Sequence, residues 1–187
     1  MGIIMSYLLK LINSDRKQKK ETSMKTKDIV IIGMMSAILV CVQVGLAFIP
    51  NVELVSLLII IYTLVFGKKT IYIIYVFALL EGIVFGFGIW WINYLYVWTV
   101  LYLIVHLLCK MNSLFLWAIV SALYGYGFGA LCSIPYFITG GIPSGFAYWI
   151  AGIPFDISHG TANFFITLAL FKPIYYVLNR INEHTKQ

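Results

Sequence analysis

Six apolar runs, separated by four short breaks and a loop rich in Gly and Pro over residues 139–154, occupy most of the chain between Ile29 and Leu178. They cover about residues 29–49, 52–66, 71–89, 93–109, 114–138 and 155–178. A helix needs roughly 17–25 such residues to cross the hydrocarbon core of a bilayer. The second run falls short of that, and is expected to lie at a different tilt or partly buried. Strands of a membrane barrel would alternate polar and apolar residues, and these runs do not. With 61% hydrophobic and 11% charged residues, the chain departs from soluble domains, which carry about 25% charge. These features predict an all-α integral membrane protein with six transmembrane helices.

The basic residues then set the orientation. Seven lie before the first run, Lys68 and Lys69 follow the second, and Lys110 follows the fourth. Lys172, Arg180 and Lys186 lie at or beyond the end of the sixth. The breaks around Asn51, Trp91 and Gly141 contain no Lys or Arg. Every basic side chain therefore falls on one face, which the positive-inside rule makes cytoplasmic, with both termini on that side. The net charge of +6 follows from this topology and implies no nucleic-acid partner.

Residues 1–27 read as a basic cytoplasmic tail and 28–187 as the six-helix membrane domain. The tail opens with "MGIIMSYLLKLI", too short to span and without a signal-peptide cleavage site. It is an interfacial helix or a mobile tail, and "MGIIMS" meets the loose acylation pattern. "MKTKDIV" offers an alternative start at Met24. Cys41, Cys109 and Cys132 are widely spaced, with no CxxC, and read as small buried apolar residues with no metal role.

Small residues four apart let helices approach closely in lipid. The first run has Gly33, Ala37, Cys41 and Gly45; the fifth has Ser121, Gly125, Gly129 and Ser133; the third has Ala78, Gly82 and Gly86. Each stripe serves packing within the chain or docking on another membrane protein.

Polar side chains at membrane depth are costly and mark function. The sixth run begins "FDISHGTANFFIT". At 100° per residue, Asp156, His159, Asn163 and Thr167 fall within about 80° of one another. An N-cap role explains Asp156 alone; four groups on one stripe are better suited to a cavity. Glu81 stands mid-run in the third segment, where it serves a site or a structural hydrogen bond. Glu53 follows "PN" at the start of the second segment, where the helix dipole accounts for it, and His106 is interfacial. At the outer turns, "GFGIWWINYLYVW" brings Trp90, Trp91, Asn93 and Tyr94 together, with Tyr96 beyond, and the last outer connection adds Phe146, Tyr148 and Trp149. Interfacial aromatic belts have this composition. Beside Gln43 and Asn51 the cluster also resembles the lining of an outward-facing ligand cavity. Rings of this kind would stack on a heteroaromatic ligand.

No Walker A, HExxH or GxSxG motif occurs, so an ATP-driven role would need its engine from elsewhere. Nor is the chain long enough for two inverted transporter halves. A small intramembrane enzyme using Asp156 and His159 as acid and base, and a channel or structural subunit, remain open to the residues. No cofactor is called for.

Two stretches, "IGMMSAILVCVQVGLAFIPNVELVSLLIIIYTLVFGKK" and "AGIPFDISHGTANFFITLALFKPIYYVL", resemble the substrate-binding S components of energy-coupling factor (ECF) transporters. The resemblance implies a six-helix subunit of a prokaryotic plasma membrane that captures a vitamin-like micronutrient from outside. It further implies a membrane coupling subunit and two cytoplasmic ATPases as partners, docked through an AxxxA motif in the first helix. Gly33 and Ala37 match that motif, with Gly in place of the first Ala. On this resemblance Asp156, His159 and Asn163 would hold the polar edge of the substrate and Trp90, Trp91 and Tyr94 its rings. Asn93, Gln43, Asn51 and Glu81 complete the expected lining.

Overall fold

The computed structural model describes residues 24–49 and 51–186, with Lys186 described by its backbone alone. The N-terminal apolar run, the acylation pattern and most of the basic tail fall on residues 1–23, outside the described part. The described residues form seven helices and no strand: α1 Thr26–Leu46, α2 Val55–Phe66, α3 Lys69–Phe85, α4 Ile89–Leu107, α5 Leu114–Tyr126, α6 Phe128–Cys132 and α7 Ile134–Lys186. By length and composition, α1, α4 and α7 are long and apolar enough to cross a membrane. Helices α2, α3 and α5 have 12, 17 and 13 residues.

The described residues up to Ile31 and those from Ile32 onward belong to separate compact units. In the first, the Lys25 amide donates to Asp28 Oδ2 (3.1 Å) and fastens the opening turn of α1. The second unit holds everything described below.

Its centre is α2, "VSLLIIIYTLVF", a helix apolar on every side. Such a helix can be stable only where apolar neighbours surround it. All its residues from Val55 to Thr63 are buried, as is Phe66, and it lies against α3, α4, α5 and α7. The shortness noted in the sequence thus belongs to a helix enclosed by protein. Its first turn is capped by Glu53, whose Oε2 accepts the Ser56 amide at 2.8 Å. Near its far end Asn182 of α7 donates to the Val65 carbonyl at 2.8 Å.

Along α1, Ile32, Met35, Ser36 and Leu39 turn inward at helical spacing. Ser36 Oγ sits between the Ile32 carbonyl of its own helix (2.8 Å) and the Ile73 carbonyl of α3 (2.9 Å). The opposite face carries Gly33, Ala37, Cys41 and Gly45, all exposed.

The small residues of α5 are used inside the chain. Helices α5 and α7 approach so closely at Gly125 that a Cβ there would lie 2.7 Å from the Gly160 Cα. At Gly129 of α6 a Cβ would collide with the Asp156 carboxylate. This seam lets polar residues of α7 reach the interior.

The structure departs from the sequence expectation over residues 139–154. The Gly- and Pro-rich stretch expected to be a loop is helical on both sides of Gly141, the one residue of α7 with non-helical geometry (φ +73°). A left-handed φ suits glycine, and Pro143, two residues on, falls where a helix start has no amide to lose. The arms fold against each other, stacking Tyr136 on Tyr148 at 4.1 Å and setting Phe137 edge-on to Phe146 at 5.3 Å. Asp156 consequently lies inside a helix rather than at its N-cap. The expected fifth run, in turn, is divided among α5, α6 and the first arm of α7.

Candidate ligand cavity

The four-residue stripe on α7 turns inward: Asp156, His159, Asn163 and Thr167 are all buried. Its upper two members border a cavity of about 650 Å³. That volume lies within the range of small-molecule sites, roughly 300–1,000 Å³. Gln43 near the end of α1, Asn51 and Glu53 in the following connection, and Tyr94 and Trp98 of α4 supply one side. Phe128 and Gly129 of α6 and Tyr148, Asp156 and His159 of α7 supply the other.

A carboxylate–imidazole pair closes the polar wall. Glu53 Oε1 lies 3.1 Å from His159 Nε2 while its other oxygen holds the Ser56 amide. Burial of Glu53 acts to raise its pKa. The hydrogen bond and charge of His159 and the bonds from Ser56 outweigh it, leaving the carboxyl below its ordinary value. Asp156 Oδ1 accepts the Gly129 amide at 2.9 Å, whereas Oδ2 is buried without a partner. The Trp98 indole N–H is likewise buried and unpartnered. Neither atom presents surface to the cavity, so both belong to the wall behind it, and a guest would meet the lining carboxyls, imidazole and rings.

The rings are mutually braced. Tyr94 and Trp98 meet edge-on at 5.5 Å, Phe128 lies 5.6 Å from Trp98, and His159 meets Phe128 at 5.1 Å. Gln43 donates to the Tyr94 hydroxyl at 3.1 Å, tying α1 to α4 beside the cavity.

Of the residues expected from sequence, Asp156, His159, Tyr94, Gln43 and Asn51 meet at this cavity. The others lie elsewhere. Trp90 packs edge-on against Tyr94 and Phe85. Trp91 donates its indole N–H to the Ala78 carbonyl at 2.8 Å. Asn93 is buried with its Oδ1 2.9 Å from the Tyr96 hydroxyl, which also lies 2.6 Å from the Leu131 carbonyl. Asn163 sits one turn beyond His159, facing Gly125 across the α5–α7 seam. Glu81 is 2% exposed in α3, its Oε1 unpartnered, and does not border the cavity. Gly33 and Ala37 are exposed, with open space beside Gly33.

Glu53, Trp98 and Phe128 were not among the expected lining. Trp98 follows Tyr94 by four residues, so the helical period alone could have placed it on the same face. Glu53 satisfied a local expectation as a helix-start acid, and its second partner is 106 residues away in sequence.

No protein-family model matches the chain, and no curated protein or solved structure matches it significantly.

Proposed function

We propose that this chain is the substrate-capture subunit of an ATP-driven uptake system for a vitamin-like micronutrient, an S component of the ECF type. In this reading it spans a prokaryotic plasma membrane six times, with both termini cytoplasmic. The long arm of α7 and the α5–α6 unit each count as one crossing. The observation that carries the reading is the cavity, whose rings and bordering Glu53, Asp156 and His159 suit a small guest. Its level supports an outward opening. Lys68 and Lys69 follow the end of α2 and Lys110 follows the end of α4. The cavity is bounded instead by residues before α2 and in the first half of α4, at the opposite helix ends. The positive-inside rule makes those ends external.

The exposed small-residue face of α1, with Gly33 and Ala37, is available for close docking on a membrane coupling subunit, and two cytoplasmic ATPases would supply the hydrolysis. The test is purification of the tagged chain from its native membranes. Co-purification of a coupling protein and Walker-A ATPases, lost in a Gly33→Leu/Ala37→Leu variant, is the expected outcome. A chain that purifies alone, with no small molecule retained under native mass spectrometry, would sink the reading.

A further inference from the structure

The charge on the cavity wall narrows what the site can accept. Among the described residues, two carboxyl groups, Glu53 and Asp156, and one imidazole, His159, border it, and no Lys or Arg does. The wall becomes positive only if His159 is charged while both carboxyls are protonated. An anionic guest would therefore meet two carboxyls, against which the described lining offers only His159, already held by Glu53. The Glu53 and Asp156 carboxyls at the cavity favour a guest with a donor edge, best one that carries positive charge. The rings of Tyr94, Phe128 and Tyr148 line the same cavity. Aromatic faces attract cations, more strongly once water is excluded. The flat walls also favour a planar guest over a flexible aliphatic amine.

From these features we infer that the cavity takes a planar nitrogen heterocycle bearing positive charge, with its charged edge at Asp156 and Glu53 and its face on Tyr94. The inference rests on the capture reading above and adds the chemical class of the substrate.

The test compares 1-methylnicotinamide, nicotinamide and nicotinate, three pyridines that differ chiefly in charge, on the full chain in lipid nanodiscs. Tryptophan quenching and calorimetry give the affinities, and native mass spectrometry identifies any molecule carried through purification. The expected result is saturable binding of 1-methylnicotinamide at least tenfold tighter than of nicotinate, with the preference lost in Asp156→Asn and Glu53→Gln. Nicotinate binding as tightly as the cation, or an anion as the retained molecule, overturns the charge inference and leaves the capture reading standing. Cation binding unaffected by either substitution also overturns it, because the guest would then lie elsewhere. Absence of saturable binding for all three, with nothing retained, brings down both. Should one variant fail to fold, the ranking of the three probes on the unsubstituted chain still decides.

Discussion

Replacing Gly125 by Ala tests the seam that delivers Asp156 and His159 to the cavity. The new Cβ would lie 2.7 Å from the Gly160 Cα and 2.8 Å from its amide nitrogen, where ordinary contact begins at 3.4 Å. Both neighbours are backbone atoms, so no rotamer change can make room. Helices α5 and α7 must separate by about 0.7 Å, and a gap of 0.5–1 Å forfeits roughly a quarter to a half of each dispersion contact it opens. Overpacking of this kind costs about 1–3 kcal/mol. The better helix propensity of Ala returns up to about 1 kcal/mol, but does so equally in a Gly33→Ala chain, so the loss relative to that chain is about 1–3 kcal/mol. For 150–250 residues each kcal/mol moves Tm by roughly 2–4 °C, giving a difference of about 2–12 °C. Gly33→Ala is the control, since nothing lies within 4 Å of its added Cβ. Thermal unfolding of the purified chain, followed by tryptophan fluorescence or size-exclusion recovery, should show Gly125→Ala well below Gly33→Ala. A Gly125→Ala chain as stable as the control would mean the two helices are not in backbone contact.

Two further outcomes follow from the geometry. The Glu53 carboxyl titrates below its ordinary value; its ionised form therefore adds stability above pH about 4.5, the usual carboxyl region, and that contribution fades as pH falls through the depressed value. Melting curves between pH 7 and pH 3 should show this acid-side loss in the unsubstituted chain and a smaller one in Glu53→Gln; parallel profiles would refute the pairing. Trp91→Phe removes the indole bond to the Ala78 carbonyl, at a cost of about 1 kcal/mol. Because that ring stands outside the cavity, 1-methylnicotinamide affinity should stay unchanged while Tm falls.

Helix as the only regular secondary structure of the described residues was legible in the runs themselves, because their length and lack of alternation leave no other way to satisfy the backbone in an apolar medium. The inward stripe of α7 was equally legible, since a 3.6-residue period converts spacing directly into a face. Which of its members would reach a cavity was not. Asn163 differs from His159 only in facing Gly125 across a tight seam, and that distance is a property of two helices, not one. The aromatic turn misled for a related reason. Trp90, Trp91 and Tyr94 are neighbours in sequence, yet Trp91 is drawn to an α3 carbonyl while Tyr94 turns to Gln43. Residues 139–154 show the limit of composition, since glycines and prolines that mark loops in water persist inside helices when neighbours or side chains re-satisfy the backbone. There Ser158 Oγ bonds the Pro154 carbonyl at 3.2 Å.

The enclosed position of α2 has a consequence for how the chain is assembled. Twelve residues of helix extend only about 18 Å, well short of a hydrocarbon layer of roughly 30 Å. For a chain built into a bilayer, such a segment is a poor tenant of lipid by itself, because its ends would leave unpaired peptide groups in oil or drag headgroups inward. It can settle only once flanking helices are there to receive it, so its insertion is cooperative with theirs. Synthesis halted after Phe66 should leave α2 outside the membrane or misplaced within it, and α7, made later than α2, supplies a wall that locks it home.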